Sequence, residues 1–176
     1  MNKRVMALGA AVAIIGSGLF VNAVVAQDEE GLPHPAHIHS GACPAPGDVV
    51  AGLGDVSDQF LVEGVATVMP AMGATTAIPV EASVTTVEMA YADIFAAPHA
   101  IVVHKSNPEV AVYILCGDIG GPEMGATAIA IGLGPLNESG YNGIATLHDN
   151  GDGTTTVSVY VTEEYHAMAP TESTAP

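Results

Sequence analysis

Three histidines and two cysteines carry most of the chemistry that this chain can do. The segment Pro33-His34-Pro35-Ala36-His37-Ile38-His39-Ser40-Gly41-Ala42-Cys43 alternates histidine with isoleucine. In an extended strand successive side chains point to opposite faces, so His37 and His39 project together while Ile38 points the other way. Two imidazoles on one strand face are half of a transition-metal site, and imidazole suits copper and zinc. A third histidine, His104, closes the strand-like run Ala100-Ile101-Val102-Val103-His104, and the second cysteine follows in Leu115-Cys116-Gly117-Asp118. Three imidazoles with one open position suit copper cycling between Cu(I) and Cu(II), and three histidines with a water would equally serve zinc. The plain alternative is three partly buried histidines, each hydrogen-bonded within the fold.

The compartment follows from the two ends of the chain. Residues 1–26 combine a basic start, Asn2-Lys3-Arg4, with an apolar run and the small-residue cleavage site Val24-Val25-Ala26, which predicts a secretory signal peptide. The run is also long enough to span a bilayer, so an uncleaved anchor is the alternative. Cleavage leaves residues 27–168 as a single domain, a common size with room for a core, and residues 169–176 as a flexible tail. It also leaves Lys105 as the only basic residue against nineteen acids, a formal charge of −18. Such a surface repels nucleic acid and anionic lipid, excluding both as partners, and the scattered acids read as a solubilising coat. An exported chain with two cysteines is expected to pair them. Thiolate ligation of a metal, the alternative, would want a C-x-x-C pair that neither cysteine has.

The elements that must position these residues read as all-β, a sandwich or barrel of about eight strands. Val, Ile and Thr recur in short runs punctuated by Gly and Pro. Strands are expected over 34–39, 59–68, 80–87, 100–104, 110–115, 127–132, 143–147 and 154–161, with a short helical turn within 88–95. Asp149-Asn150-Gly151-Asp152-Gly153 reads as a hairpin turn whose glycines and Asn take positive φ. It lacks the spaced acids and final Glu of a calcium loop. Nucleophilic hydrolysis has no support: there is no Gly-x-Ser-x-Gly elbow, no phosphate loop and no marked pair of carboxylates.

These residues resemble the copper–zinc superoxide dismutases. Leu32-Pro33-His34-Pro35-Ala36-His37-Ile38-His39 is similar to the family segment G-L-H-G-F-H-V-H, whose last two histidines bind copper. Ile101-Val102-Val103-His104 is similar to its V-V-H, and Cys116-Gly117-Asp118-Ile119-Gly120 to the C-G-V-I-G at one end of its disulfide, with Cys43 standing for the other end. The resemblance covers residues 32–120 and implies a Greek-key fold, a copper ion on His37, His39 and His104, a Cys43–Cys116 bridge, and superoxide as substrate. His34 matches a family histidine that makes a structural hydrogen bond.

The departures are specific. The hairpin that starts the family fold has its counterpart here at 143–161, which implies a circular permutation. Only Ser40-Gly41-Ala42 separates His39 from Cys43, so the family's zinc loop, and with it the zinc site, is expected to be absent. The arginine that guides superoxide, three residues before the second cysteine, is Tyr113 in this chain, and Lys105 is the only lysine near the site. A looser resemblance, to chordin-type CHRD domains with an A-H-I-H segment, rests on residues 36–39 and implies a non-catalytic copper-binding or cell-surface module. Of the other histidines, His99 lies at odd spacing from His104 and so on the opposite strand face. His148 and His166 could supply a fourth ligand only through the fold.

Overall fold

The computed structural model describes residues 32–163, apart from 63, 64, 69–71, 75 and 126. The expected signal peptide, the tail, His166 and Met168 lie outside the described residues. The chain forms β1 (Ala36–Ser40), β2 (Val49–Gly52), β3 (Gln59–Val62), β4 (Val65–Val68) and β5 (Glu81–Val87). One helical turn, α1 (Tyr91–Ile94), then precedes β6 (His99–His104), β7 (Tyr113–Asp118), β8 (Ala128–Pro135), β9 (Tyr141–Asp149) and β10 (Thr155–Glu163).

The all-β expectation holds. Eight antiparallel strands lie in the order β2-β1-β6-β7-β8-β9-β10-β5. The strands β6 to β10 run as a meander, and β5 returns beside β10, the last strand, rather than beside β6, its successor. A long connection that lays a strand beside a distant neighbour is the Greek-key element. The sheet folds into two halves joined by a narrow seam, where β7 and β8 share only the pairs Leu115↔Pro135 and Cys116↔Gly134. On the open side Gly54 N–H donates to Thr85 Oγ1 and Ser57 bridges Ala82, so the barrel is nearly closed.

Period-2 alternation builds the core. Ile129, Ile131 and Leu133 of β8 point inward, as do Val157, Val159 and Val161 of β10, with Ala36 and Ile38 of β1 and Ile101 and Val103 of β6 facing them. Strand β6 departs from that alternation because all six of its residues are buried. Its outward Ala100 and Val102 pack with Cys116, Cys43, Tyr113 and Leu136 in a second, smaller cluster on the outside of the barrel. A buried patch there requires a cover, and the cover is the 41–48 loop.

Three boundaries differ from the expectation. The run 59–68 is not one strand but the separate hairpin β3–β4, paired from Gln59↔Val68 to Val62↔Val65. The residues before Tyr113 belong to a loop, turned by Glu109 N–H on Ser106 O and Val112 N–H on Glu109 O, so β7 starts later than position 110. Strand β2 carries no alternating pattern, its Val49 and Val50 both being exposed at the sheet edge, and it escaped the sequence reading. The 149–153 turn does join β9 to β10, with Gly151 at φ 76° and Gly153 at φ 91°. Asn150 is not among the positive-φ residues; its amide instead donates to Thr154 Oγ1.

Candidate metal centre

Register places the histidines. His37 pairs with Val102 and His39 with Ala100 across β1 and β6, so both imidazoles stand on the outer face flanking that small-residue column. His104 lies two residues beyond Val102 on the same face, where the β6–β7 register shifts by a residue. Its backbone N–H donates to Pro35 O at 2.8 Å, tying the end of β6 to the start of β1. The three ring centroids are 4.7, 5.6 and 5.8 Å apart.

Two loops set which nitrogens face inward. His39 Nδ1–H donates to the Gly47 carbonyl at 2.8 Å, and His104 Nδ1–H donates to the Val110 carbonyl. Both donations leave Nε2 as the lone-pair atom. His37 Nδ1–H donates to the His104 Nε2 lone pair at 2.8 Å. The inward set is therefore Nδ1 of His37 and Nε2 of His39 and His104. His39 Nε2 is buried without a hydrogen-bond partner, a state that costs about 1–3 kcal/mol when nothing binds there.

A metal ion fits this donor set. The three donor atoms lie within 4.8 Å of one another. Two nitrogens on a tetrahedral metal at about 2.1 Å stand about 3.4 Å apart, so His37 Nδ1 and His104 Nε2, now 2.8 Å apart, must part by about 0.6 Å while the widest pair closes. The protonation states also agree. Burial, and then the neighbouring His39, lower the His37 pKa against a small opposing pull from Asp55. Burial brings His104 down to about 4, the Val110 hydrogen bond opposing it and His37 and His39 adding to it. Neutral imidazoles are what a divalent cation requires, and His37 would give up its Nδ1–H bond to His104 Nε2 by taking the tautomer protonated at Nε2. Among the described residues this is the group of three or more His, Cys, Asp or Glu close enough to hold a metal.

The covering loops are pinned. In the first, Gly41 N–H donates to Pro98 O, Gly47 N–H to Ser40 O, and Cys43 N–H to Asp118 Oδ1. The Cys43–Cys116 disulfide ties this loop to β7, as expected, so the carbonyl that orients His39 is covalently anchored beside the site. A Cβ at Gly47 would stand 2.8 Å from Ser40 Oγ, which would have to turn aside to admit it. In the second loop, Lys105 N–H donates to Val112 O, which holds the Val110 turn over His104.

Tyr113, placed by the family pattern at the position of a guiding arginine, stands against the cluster. Its ring is edge-on to His104 at 5.0 Å and to His39 at 5.9 Å. The Lys105 ammonium is 2.8 Å from the Glu109 carboxylate, so the one cation beside the site is largely neutralised. His34 fulfils its structural expectation. Its Nδ1–H donates to Lys105 O at 2.6 Å, its Nε2 lies 3.6 Å from Glu81, and its ring meets Tyr141 edge-on. It lines a cavity of about 420 Å³ with Val112, Ile114, Tyr141 and Glu163 at the barrel end. His99 donates to Ile94 O and takes no part in the cluster, and His148 is exposed on β9, paired with Ala128 and Thr156 in the other half of the sheet.

The sequence reading did not find the Gly47 and Val110 carbonyls or the Asp55 charge. A main-chain acceptor leaves no trace in residue type, and Asp55 is one acid among nineteen. The disulfide is of a kind common in extracytoplasmic proteins, and no described helix is long and apolar enough to cross a membrane. No family model, no curated protein and no solved structure matches this chain.

Proposed function

We propose that this chain is an exported copper protein of the superoxide dismutase type, permuted and without the family's zinc site. The observation that carries this reading is the buried, unpartnered Nε2 of His39 turned towards the inward nitrogens of His37 and His104. His37 would hold the ion through Nδ1, and His39 and His104 through Nε2. Copper, when bound, supplies one-electron cycling between Cu(II) and Cu(I), the chemistry that dismutation of superoxide needs.

The chain's own residues supply orientation. The Gly47 and Val110 carbonyls hold two imidazoles in the tautomer that presents Nε2, the role that outer-shell acceptors play in metal sites generally. The disulfide keeps the Gly47 carbonyl in place, and Tyr113 forms one wall beside His39 and His104. Attraction of an anion is the weak part of the design. Lys105 is paired with Glu109, Tyr113 is uncharged, and the whole surface is acidic.

That weakness favours a second reading, a non-catalytic copper-binding or cell-surface module of the same fold. One experiment separates the two: superoxide consumption by protein loaded with copper and assayed for copper content in the same sample. Consumption that rises in proportion to bound copper supports the enzyme. Bound copper with no consumption above that of the metal-free protein leaves the binding module.

A further inference from the structure

Tyr113 is the residue for which copper binding alone assigns no task. It is half-buried, and its ring touches the edges of His39 and His104 at once, so four rings form one cluster. Its strand end is fixed from outside, since Asn137 Nδ2–H donates to the Tyr113 carbonyl at 2.9 Å. The ring is thereby held beside the two imidazoles whose inward atoms are Nε2. A phenol is an electron-rich ring that gives up electrons more readily than a neutral imidazole does. Of the groups forming this cluster, Tyr113 is the one most easily oxidised.

We propose that Tyr113 is an oxidative modification site: in the copper-loaded protein, hydrogen peroxide hydroxylates its ring, which spares His39 and His104. The inference rests on copper occupying the three-histidine cluster. In the balanced step the peroxide O–O bond breaks and one oxygen enters an ortho C–H bond of the ring as hydroxyl. The other oxygen leaves as water. The ring loses two electrons and peroxide gains them, so tyrosine and hydrogen peroxide give 3,4-dihydroxyphenylalanine and water, with no further reductant. Proximity selects the residue, because an oxidising equivalent generated in the cluster meets the Tyr113 ring before any other phenol of the described residues.

The molecule carries its own controls. Tyr160, 38% exposed on β10, is a more accessible phenol but lies in the other half of the sheet. Met72 and Met124 are exposed and report direct oxidation by peroxide in solution, which needs no metal.

The test is peptide mapping by mass spectrometry after peroxide treatment of copper-loaded, zinc-loaded and metal-free protein, with bound metal measured first. The expected result is one added oxygen on the Tyr113 peptide, on the order of tenfold more in the copper form than in the other two. Tyr160 should be unmodified, and the Met72 and Met124 sulfoxides equal in all three. In Tyr113→Phe the added oxygen should move to His39 or His104, and bound copper should fall during treatment. Full copper occupancy with oxygen on the histidines and none on Tyr113 overturns the inference while leaving copper binding intact. Equal oxidation of Tyr113 with and without copper overturns it too. Failure of the protein to take up copper overturns the copper reading and this inference together.

Discussion

Two groups at opposite ends of the energetic ledger predict an unusual pH profile for the metal-free protein. His104 is held down to about 4 from its ordinary 6.5, chiefly by burial. A depressed pKa means that its stabilising contribution is complete above about 6.5 and is lost as pH falls towards 4. Glu81 is raised to about 7 from 4.5, by burial first and then by Asp58 and Glu163. A raised carboxyl works the other way: its contribution is complete below about 4.5 and is lost as pH rises through 7. Each displacement corresponds to roughly 3 kcal/mol at about 1.4 kcal/mol per pH unit. The windows overlap almost fully, so the wild type should vary little between pH 4.5 and 7. Single substitutions uncover the slopes. Glu81→Gln leaves the His104 term, and stability relative to wild type should fall by roughly 3 kcal/mol as pH drops from 7 to 4.5. His37, lowered in the same direction, is common to both proteins and cancels from that difference. His104→Gln leaves the Glu81 term, and stability relative to wild type should rise over the same interval. Urea unfolding in chelator at fixed ionic strength, at four pH values, reads both. Three parallel profiles would refute the assignment of these groups as buried and uncompensated.

Other outcomes follow from single contacts. Gly117→Ala should cost about 1–3 kcal/mol in thermal or urea unfolding, because a Cβ there would stand 2.4 Å from Gly132 O and 2.7 Å from Leu133 Cδ2; unchanged stability would mean that β7 and β8 approach less closely. Cys43→Ser with Cys116→Ser opens a loop closed across a separation of 73 residues and should cost about 4 kcal/mol on the chain-entropy estimate. The same pair of changes should weaken copper retention through the Gly47 carbonyl, which a metal-competition titration measures. If superoxide is consumed, added salt should raise the rate by screening the acidic surface, and Tyr113→Arg should raise it further. A rate that falls with salt would show an attractive funnel at the site.

The histidine cluster was legible because its signal is local. Alternation around Ile38 puts His37 and His39 on one face whatever the rest of the chain does, and the Val-Val-His run gave His104 a strand of its own. The hairpin β9–β10 was legible for the same reason, through Asn-Gly and Asp-Gly between alternating segments. What escaped was non-local or lacked a side-chain signature. Strand β2 owes its existence to pairing with β1 rather than to any pattern of its own. The burial of the outward Ala100 and Val102 of β6 follows from the disulfide-tethered loop that packs on them, not from the composition of β6. The residues that fix the two imidazoles act through backbone carbonyls, and any residue type can supply a carbonyl. Tyr113 was singled out by position alone; only the packed structure shows it in contact with two of the three imidazoles.

The most direct test of the proposed copper site is metal content of purified protein after loading with copper and removal of excess. Wild type should retain close to one copper per chain, with nitrogen hyperfine structure from three imidazoles in its paramagnetic resonance spectrum. His37→Ala with His104→Ala should retain none while staying folded by circular dichroism. Full copper retention by that double variant, or none by the folded wild type, would contradict the assignment of His37, His39 and His104 as a metal centre.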